Sequence, residues 1–170
     1  MFINHRSLAG LILGLTCLLV AVPAVAETHW PKDGWKVIDT SQSYSELLAN
    51  LKKAVSANEL NVIYEVGPTE AAAKRGIHIP GIRVVGVFNN KFAVDIFRLS
   101  VLAMIEVTIR FYVTERDEGH ATLSWVEPSL VLAPYVGDVG SSDDANTLRQ
   151  KAEELDACFS RIASETVQGK

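Results

Sequence analysis

Cysteine is nearly absent from this chain: there are two in 170 residues, and one of them, Cys17, lies inside the apolar run Leu8 to Val22. Cys158 then has no partner, which excludes an intramolecular disulfide in a processed chain and leaves burial to supply stability. Thr16 is a poor residue ahead of a lipidated cysteine, so Cys17 does not read as a lipoprotein anchor. Cationic clusters are also lacking. Lys52-Lys53 and Lys74-Arg75 are isolated pairs, and 16 Lys and Arg stand against 20 Asp and Glu, for a net charge of −4. Such a surface repels phosphate backbones and anionic membranes, so no nucleic acid is expected as a partner. The longest apolar run, about 15 residues, falls short of the ~20 that cross a bilayer. There is no Gly-x-Ser-x-Gly elbow, Gly-rich phosphate loop, paired-cysteine metal knuckle or His-Glu-x-x-His helix. No period of 20 to 50 residues repeats.

What is present starts at the amino end. Arg6 supplies a positive n-region, Leu8 to Val22 an uncharged apolar region, and Ala24-Val25-Ala26 a small-x-small cleavage site, the pattern of a secretory signal peptide over residues 1–26. The expected product is a periplasmic or secreted chain of residues 27–170, one α+β domain with a polar lead-in and no membrane association after cleavage. Losing Arg6 leaves 15 basic against 20 acidic residues, a net charge of −5. Cleavage after Ala26 would also create the terminus Glu27-Thr28-His29. Its free amine, two amides and an imidazole form a four-nitrogen set that suits Cu(II) or Ni(II). No other cofactor is expected.

The patterning beyond the lead-in alternates short strands with helices. Trp35 to Thr40 reads as a strand. Ser43-Tyr44-Ser45-Glu46 has capping-box spacing, followed by the helical stripe Tyr44, Leu47, Leu48, Leu51 and Val55, which ends near Asn58. Asn61 to Val66 is a second strand, and Thr69 to Gly76 a short helix with a Thr cap and a Gly stop. Ile82 to Phe88, apolar at both parities apart from Arg83 and Gly86, predicts a central strand buried on both faces. Asn89 or Asn90 caps the next helix, with Ala93, Ile96, Phe97 and Met104 near one face. Val107 to Thr114 alternates cleanly, Arg116 to Gly119 turns, and Ala121 to Val126 returns as the hairpin partner before Pro128. A loop through Pro134, Gly137 and Gly140 leads to Ser141-x-x-Asp144 and a long helix with the stripe Leu148, Ala152, Leu155, Phe159 and Ile162. Hairpins mixed with helices predict an α+β fold: a single, mainly antiparallel sheet with helices packed on one face.

Leu47 to Pro128 resembles the domain of unknown function family 302. The resemblance rests on the Ala-rich turn Ala71-Ala72-Ala73-Lys74-Arg75-Gly76, the strand end Val87-Phe88-Asn89-Asn90-Lys91, and the hairpin from Val113-Thr114-Glu115 to Gly119. The chain departs from the family pattern at Asn90, where proline is usual, at Val107-Thr108, where Leu-Pro is common, and at Gly67-Pro68, in place of an acid and a His. These motifs are structural, so the resemblance implies a sheet-and-helix α+β fold and no transferable catalytic residue.

Candidate sites follow from the face that the helices leave open. Arg110 and Tyr112 share a strand parity, about 7 Å apart by strand rise, and could hold a small carboxylate or sulfur oxyanion bidentately. An ordinary ion pair from Arg110 to Glu127 or Glu65, or a homodimer surface, competes with that reading. Asn89 and Lys91 sit at a strand-to-helix junction where an anion could bind, although capping explains the Asn as well. His78 and His120 read as solvated loop residues, Glu153-Glu154 as a solvated face and Cys158 as inert packing. The expected function is non-enzymatic binding of a small anionic ligand or a protein partner, a second copy of the chain included. The alternatives are an enzyme built on Arg110, Tyr112 and a distant His or Glu, and copper or nickel handling at Glu27, Thr28 and His29.

Overall fold

The computed structural model describes residues 32–169. The expected leader, its expected cleavage site and the candidate metal terminus Glu27, Thr28 and His29 lie outside them. Among the described residues, no helix is long and apolar enough to cross a membrane.

Five strands form one antiparallel sheet in the order β1-β5-β4-β3-β2. They are β1 (Trp35–Ser43), β2 (Asn61–Val66), β3 (Ile82–Phe88), β4 (Ile109–Glu115) and β5 (His120–Val126). Side chains alternate between the two faces. Val85, Val87, Ile109, Phe111, Val113, Ala121, Leu123 and Trp125 point inward and are buried. They meet α1 (Tyr44–Ala57) and α5 (Ser142–Gln168) in one core. Phe111 stacks on Phe159 of α5 at a centroid separation of 4.5 Å and tilts against Trp125 at 5.8 Å.

The helix starts follow the sequence signals. Ser43 accepts from the Glu46 amide while Glu46 reaches back to the Ser43 amide, closing the capping box. Leu47, Leu51 and Val55 of its stripe are buried. Ser141 caps α5 through the Asp144 amide, and Leu148, Ala152, Leu155, Phe159 and Ile162 are all buried.

Several expectations are corrected. The short helix α2 (Thr69–Ala73) has no side-chain cap, because the Thr69 hydroxyl accepts from the Ile82 amide and donates to the Pro80 carbonyl. β3 is not buried on both faces: Val84 and Phe88 remain partly exposed, because no helix covers the second face at that strand. In α3 (Asn90–Leu99), Ala93 and Ile96 face inward, but Phe97 is 54% exposed. Met104 belongs to a separate 3-10 turn, Leu102–Glu106, so β4 begins two residues later than its alternation predicts. The expected loop after Pro128 is instead α4 (Pro128–Leu132) and a 3-10 turn, Ala133–Asp138. These pieces fold around a second, smaller core of Ile96, Ala103, Leu132, Leu148 and Ala152.

Candidate binding site on the open sheet face

The outward parity of the strands builds a surface of its own. Val66, Val84, Tyr112, Ser124 and Val37 lie opposite one another across all five strands, one row of the face away from α1 and α5. The row is mostly apolar, which is unusual for a sheet face presented to water. Its neighbours on the edge strand, Ile63 and Tyr64, are 50% and 36% exposed. Val66 is exposed and Val37, Val84 and Tyr112 are half-buried, while Ser124 between them is covered, so the face is apolar and partly open, the combination that marks interaction surfaces.

Near the start of β4 this face deepens into a concavity of about 330 Å³. Trp35, Val84, Tyr112, Val126 and Val131 contribute apolar walls, the core residues Ile109, Phe111 and Trp125 border its floor, and Arg110 is the one charged residue in the lining. A volume near 300 Å³ is the lower end of what small-ligand sites use. One wall depends on a glycine. Gly34 has φ +78°, and a Cβ there would stand 2.2 Å from Leu130 Cδ2. Its carbonyl accepts from the Glu127 amide at 2.9 Å, so α4 closes against the start of β1 and carries Val131 to the rim.

Arg110 has neither of the ion pairs expected for it. Glu127 pairs with Lys36 at 2.9 Å, and Glu65 pairs with Lys52 at 3.0 Å. Arg110 instead meets Glu106 at 3.6 Å, with its own side chain 54% exposed. An exposed pair at that distance contributes little, and it leaves most of the guanidinium fork able to meet a carboxylate. Tyr112, half-buried, stands on the same side of β4.

The other candidates sit elsewhere. Asn89 Oδ1 accepts from the Phe92 amide and its Nδ2 donates to the Glu59 carbonyl, both at 2.9 Å, so its side chain serves the helix cap. Lys91 borders a groove of about 220 Å³ that also contains Asp95, Glu154 and Cys158, an acidic setting for an anion. Burial pushes the Cys158 thiol above its usual pKa and Glu165 adds to this, while Arg161 opposes both. Asp156, two residues before Cys158, accepts from the Ser129 amide and so ties α5 to α4. His78 and His120 are exposed, and neither borders the Arg110 concavity. His120 lines a polar cleft of about 590 Å³ at the far end of β4 with Asp39, Arg116 and Glu118. That cleft is internally paired: Asp39 meets Arg116 at 2.6 Å and accepts from the Thr122 hydroxyl at 2.9 Å. Arg116 first and Thr122 second hold its carboxyl below the usual aspartate pKa.

Sequence reasoning found Arg110 and Tyr112 but missed the walls. Trp35, Val126 and Val131 come from three separate elements, and only the outward parity of β1 and β5 hinted at the first two. It also passed over Arg83, which interrupts the apolar run of β3 and faces the helices.

An antiparallel sheet with helices on one face and a mostly apolar, open second face defines the class as an α+β sheet-and-helix domain. The particular family follows from comparison with known proteins: residues 37–159 match the model of "Domain of unknown function DUF302", more than half of the chain, and the chain belongs to that family. The fold is shared with the crystal structure of an uncharacterized conserved DUF302 protein from Bacillus stearothermophilus. The TM-score is 0.66 at 12% identity, over 79% of this chain and 98% of that one. No protein with a curated description matches.

Proposed function

We propose that this protein is exported through its leader and works outside the cytoplasm as a binding protein for a small amphipathic carboxylate. The observation that carries this reading is the 330 Å³ concavity with apolar walls and a single cation, Arg110. An apolar tail lies along Trp35, Val84, Val126 and Val131, while its carboxylate takes the Arg110 fork beside Tyr112. The lining holds no carboxylate or imidazole to move a proton, which favours binding over turnover. Glu106, only 3.6 Å from Arg110, is the group that an incoming carboxylate displaces.

Titration calorimetry with octanoate, and with octanol as the neutral-headed control, tests this. Octanoate binds one site, octanol binds at least about tenfold more weakly, and Arg110→Met removes the difference between them. Absence of octanoate binding, together with a dimer in light scattering that Tyr112→Ala dissociates, would give the face to a second copy of the chain and overturn the ligand reading. Intact-mass analysis of the exported protein checks the leader. A chain beginning at Glu27 is expected, and a retained leader in soluble cytoplasmic protein refutes export.

A further inference from the structure

The helix side of the sheet holds a second cationic group in a different setting. Arg83 lies opposite buried Val113 and so points toward the helices. Its side chain is only 15% exposed and is met by Glu70 of α2 through Nη2. Tyr44, the first residue of α1, stands beside it. The two nevertheless leave buried polar atoms unused: Tyr44 Oη and Arg83 Nε have no hydrogen-bond partner among the described residues. The Tyr44 hydroxyl lies near the guanidinium without a hydrogen bond of good geometry; burial opposes the Arg83 charge, but this neighbour and Glu70 together hold its pKa above the ordinary arginine value.

Unpaired buried donors are costly and rare, so each calls for a physical account. Here Nε–H, Nη2–H and the Tyr44 hydroxyl lie together under α2. The Nε/Nη2 edge of a guanidinium is the side that takes a carboxylate with two parallel hydrogen bonds. Glu70 reaches only Nη2, so the fork is half used. The segment above it is suited to opening. α2 has no buried residue, and residues 73–78 are all exposed. What pins the segment is local: the two bonds of Thr69 and the Glu70 contact itself. Few buried contacts place a segment at the low end of local stability. Gly81 fixes the other wall, since a Cβ there would stand 2.8 Å from the Tyr44 ring.

We propose that Arg83 and Tyr44 form an internal site for a small carboxylate, and that the Glu70 side chain occupies it as a tethered competitor. An incoming carboxylate takes Nε and Nη2 of Arg83 and the Tyr44 hydroxyl, and Glu70 swings to solvent with α2. The site lies on the opposite face of the sheet from Arg110 and stands independently of the function proposed for that face. A tethered group acts at an effective concentration on the order of millimolar, so the wild-type protein binds a free carboxylate only weakly and Glu70→Gln unmasks the site.

The probe is sodium acetate, titrated against sodium chloride at equal ionic strength and followed through the backbone amide signals of residues 81–84 in ¹⁵N NMR, with the Arg83 Nε–H signal as a second readout wherever Arg83 is present. Glu70→Gln is expected to bind acetate about tenfold more tightly than wild type, and Tyr44→Phe in that background to weaken it several-fold. Arg83→Met abolishes the response, while Arg110→Met leaves it unchanged. Equal acetate responses in wild type and Glu70→Gln, or a Glu70→Gln response that survives Arg83→Met, would overturn the proposal. Should Arg83→Met fail to fold, the Nε–H signal and Tyr44→Phe decide: an Nε–H resonance that acetate does not move refutes the site.

Discussion

Phe111 tests how the core of the sheet and helices is held together. It is fully buried, stacked on Phe159 and tilted against Trp125, while its neighbours Arg110 and Tyr112 point the other way. Phe111→Ala removes a core aromatic, a change that costs about 3–5 kcal/mol by transfer and cavity terms together. Domain stabilities of about 5–15 kcal/mol leave room for the variant to fold. In a domain near this size each kcal/mol shifts the midpoint by about 2–4 °C, so a fall of about 6–20 °C is expected. The ring pairing is then isolated by a double-mutant cycle with Phe111→Leu and Phe159→Leu, which keep most of the volume. Offset stacking at 4.5 Å predicts a coupling of about 0.5–1.5 kcal/mol. Urea unfolding followed by circular dichroism measures all four variants. A coupling indistinguishable from zero would mean that the two rings contribute area alone and that their stacking does not organise the core.

Four further outcomes follow from particular groups. Ser43→Ala should destabilise the protein by about 0.5–2 kcal/mol through loss of the α1 cap, read by urea unfolding, whereas Thr69→Ala should act by loosening Pro80 and Ile82 and so increase amide exchange at Ile82. Asp39→Asn should cost less than about 1 kcal/mol near neutral pH, since the pair with Arg116 is exposed. The Asp39 carboxyl is held below the ordinary aspartate value, so its contribution is complete above about pH 4 and fades as the pH falls through the folded-state value, where the Asn variant and wild type converge in a pH series of melting curves. Cys158 should react with a thiol reagent more slowly than free cysteine at pH 8 and accelerate on unfolding, because burial raises its pKa; equal rates in both states would contradict that.

The parts of the fold legible in the sequence are those set by local chemistry. Ser43 and Ser141 announce their helices because a hydroxyl three residues ahead of an amide is a short-range geometry. The alternation of Ile109, Phe111 and Val113 with Arg110 and Tyr112 places the two faces without knowledge of strand order. Where long-range contact decides, the signal fails. Thr69 has the look of a cap, but Pro80 and Ile82 draw its hydroxyl away. Residues 128–138, rich in turn signals, coil into helix because Leu132 finds Ile96 and Leu148, each distant in sequence. Phe97 extends an apolar pattern that the structure does not bury, since α3 contacts its neighbours through Ala93 and Ile96. Arg110 and Tyr112 were visible as a pair; the concavity was not, because Val131 reaches it only through the clasp of α4 on Gly34.

β3 joins the two candidate sites by the simplest means a strand has. Arg83 and Val84 are consecutive, so one faces Tyr44 under the helices and the other the open face opposite Tyr112. A charged residue on the core side of a strand is normally a liability, because it must be desolvated and paired. Here the pairing comes from Glu70, on a helix with no buried residue of its own, so a weakly anchored segment carries the partner of a mostly buried cation. A stable scaffold would reverse that arrangement and place the counter-charge on α1. Keeping it on α2 ties the position of an exposed segment to the occupancy of one guanidinium. A carboxylate at Arg83 therefore moves α2 on one side of β3 and leaves the backbone that carries Val84 in register with Tyr112 on the other.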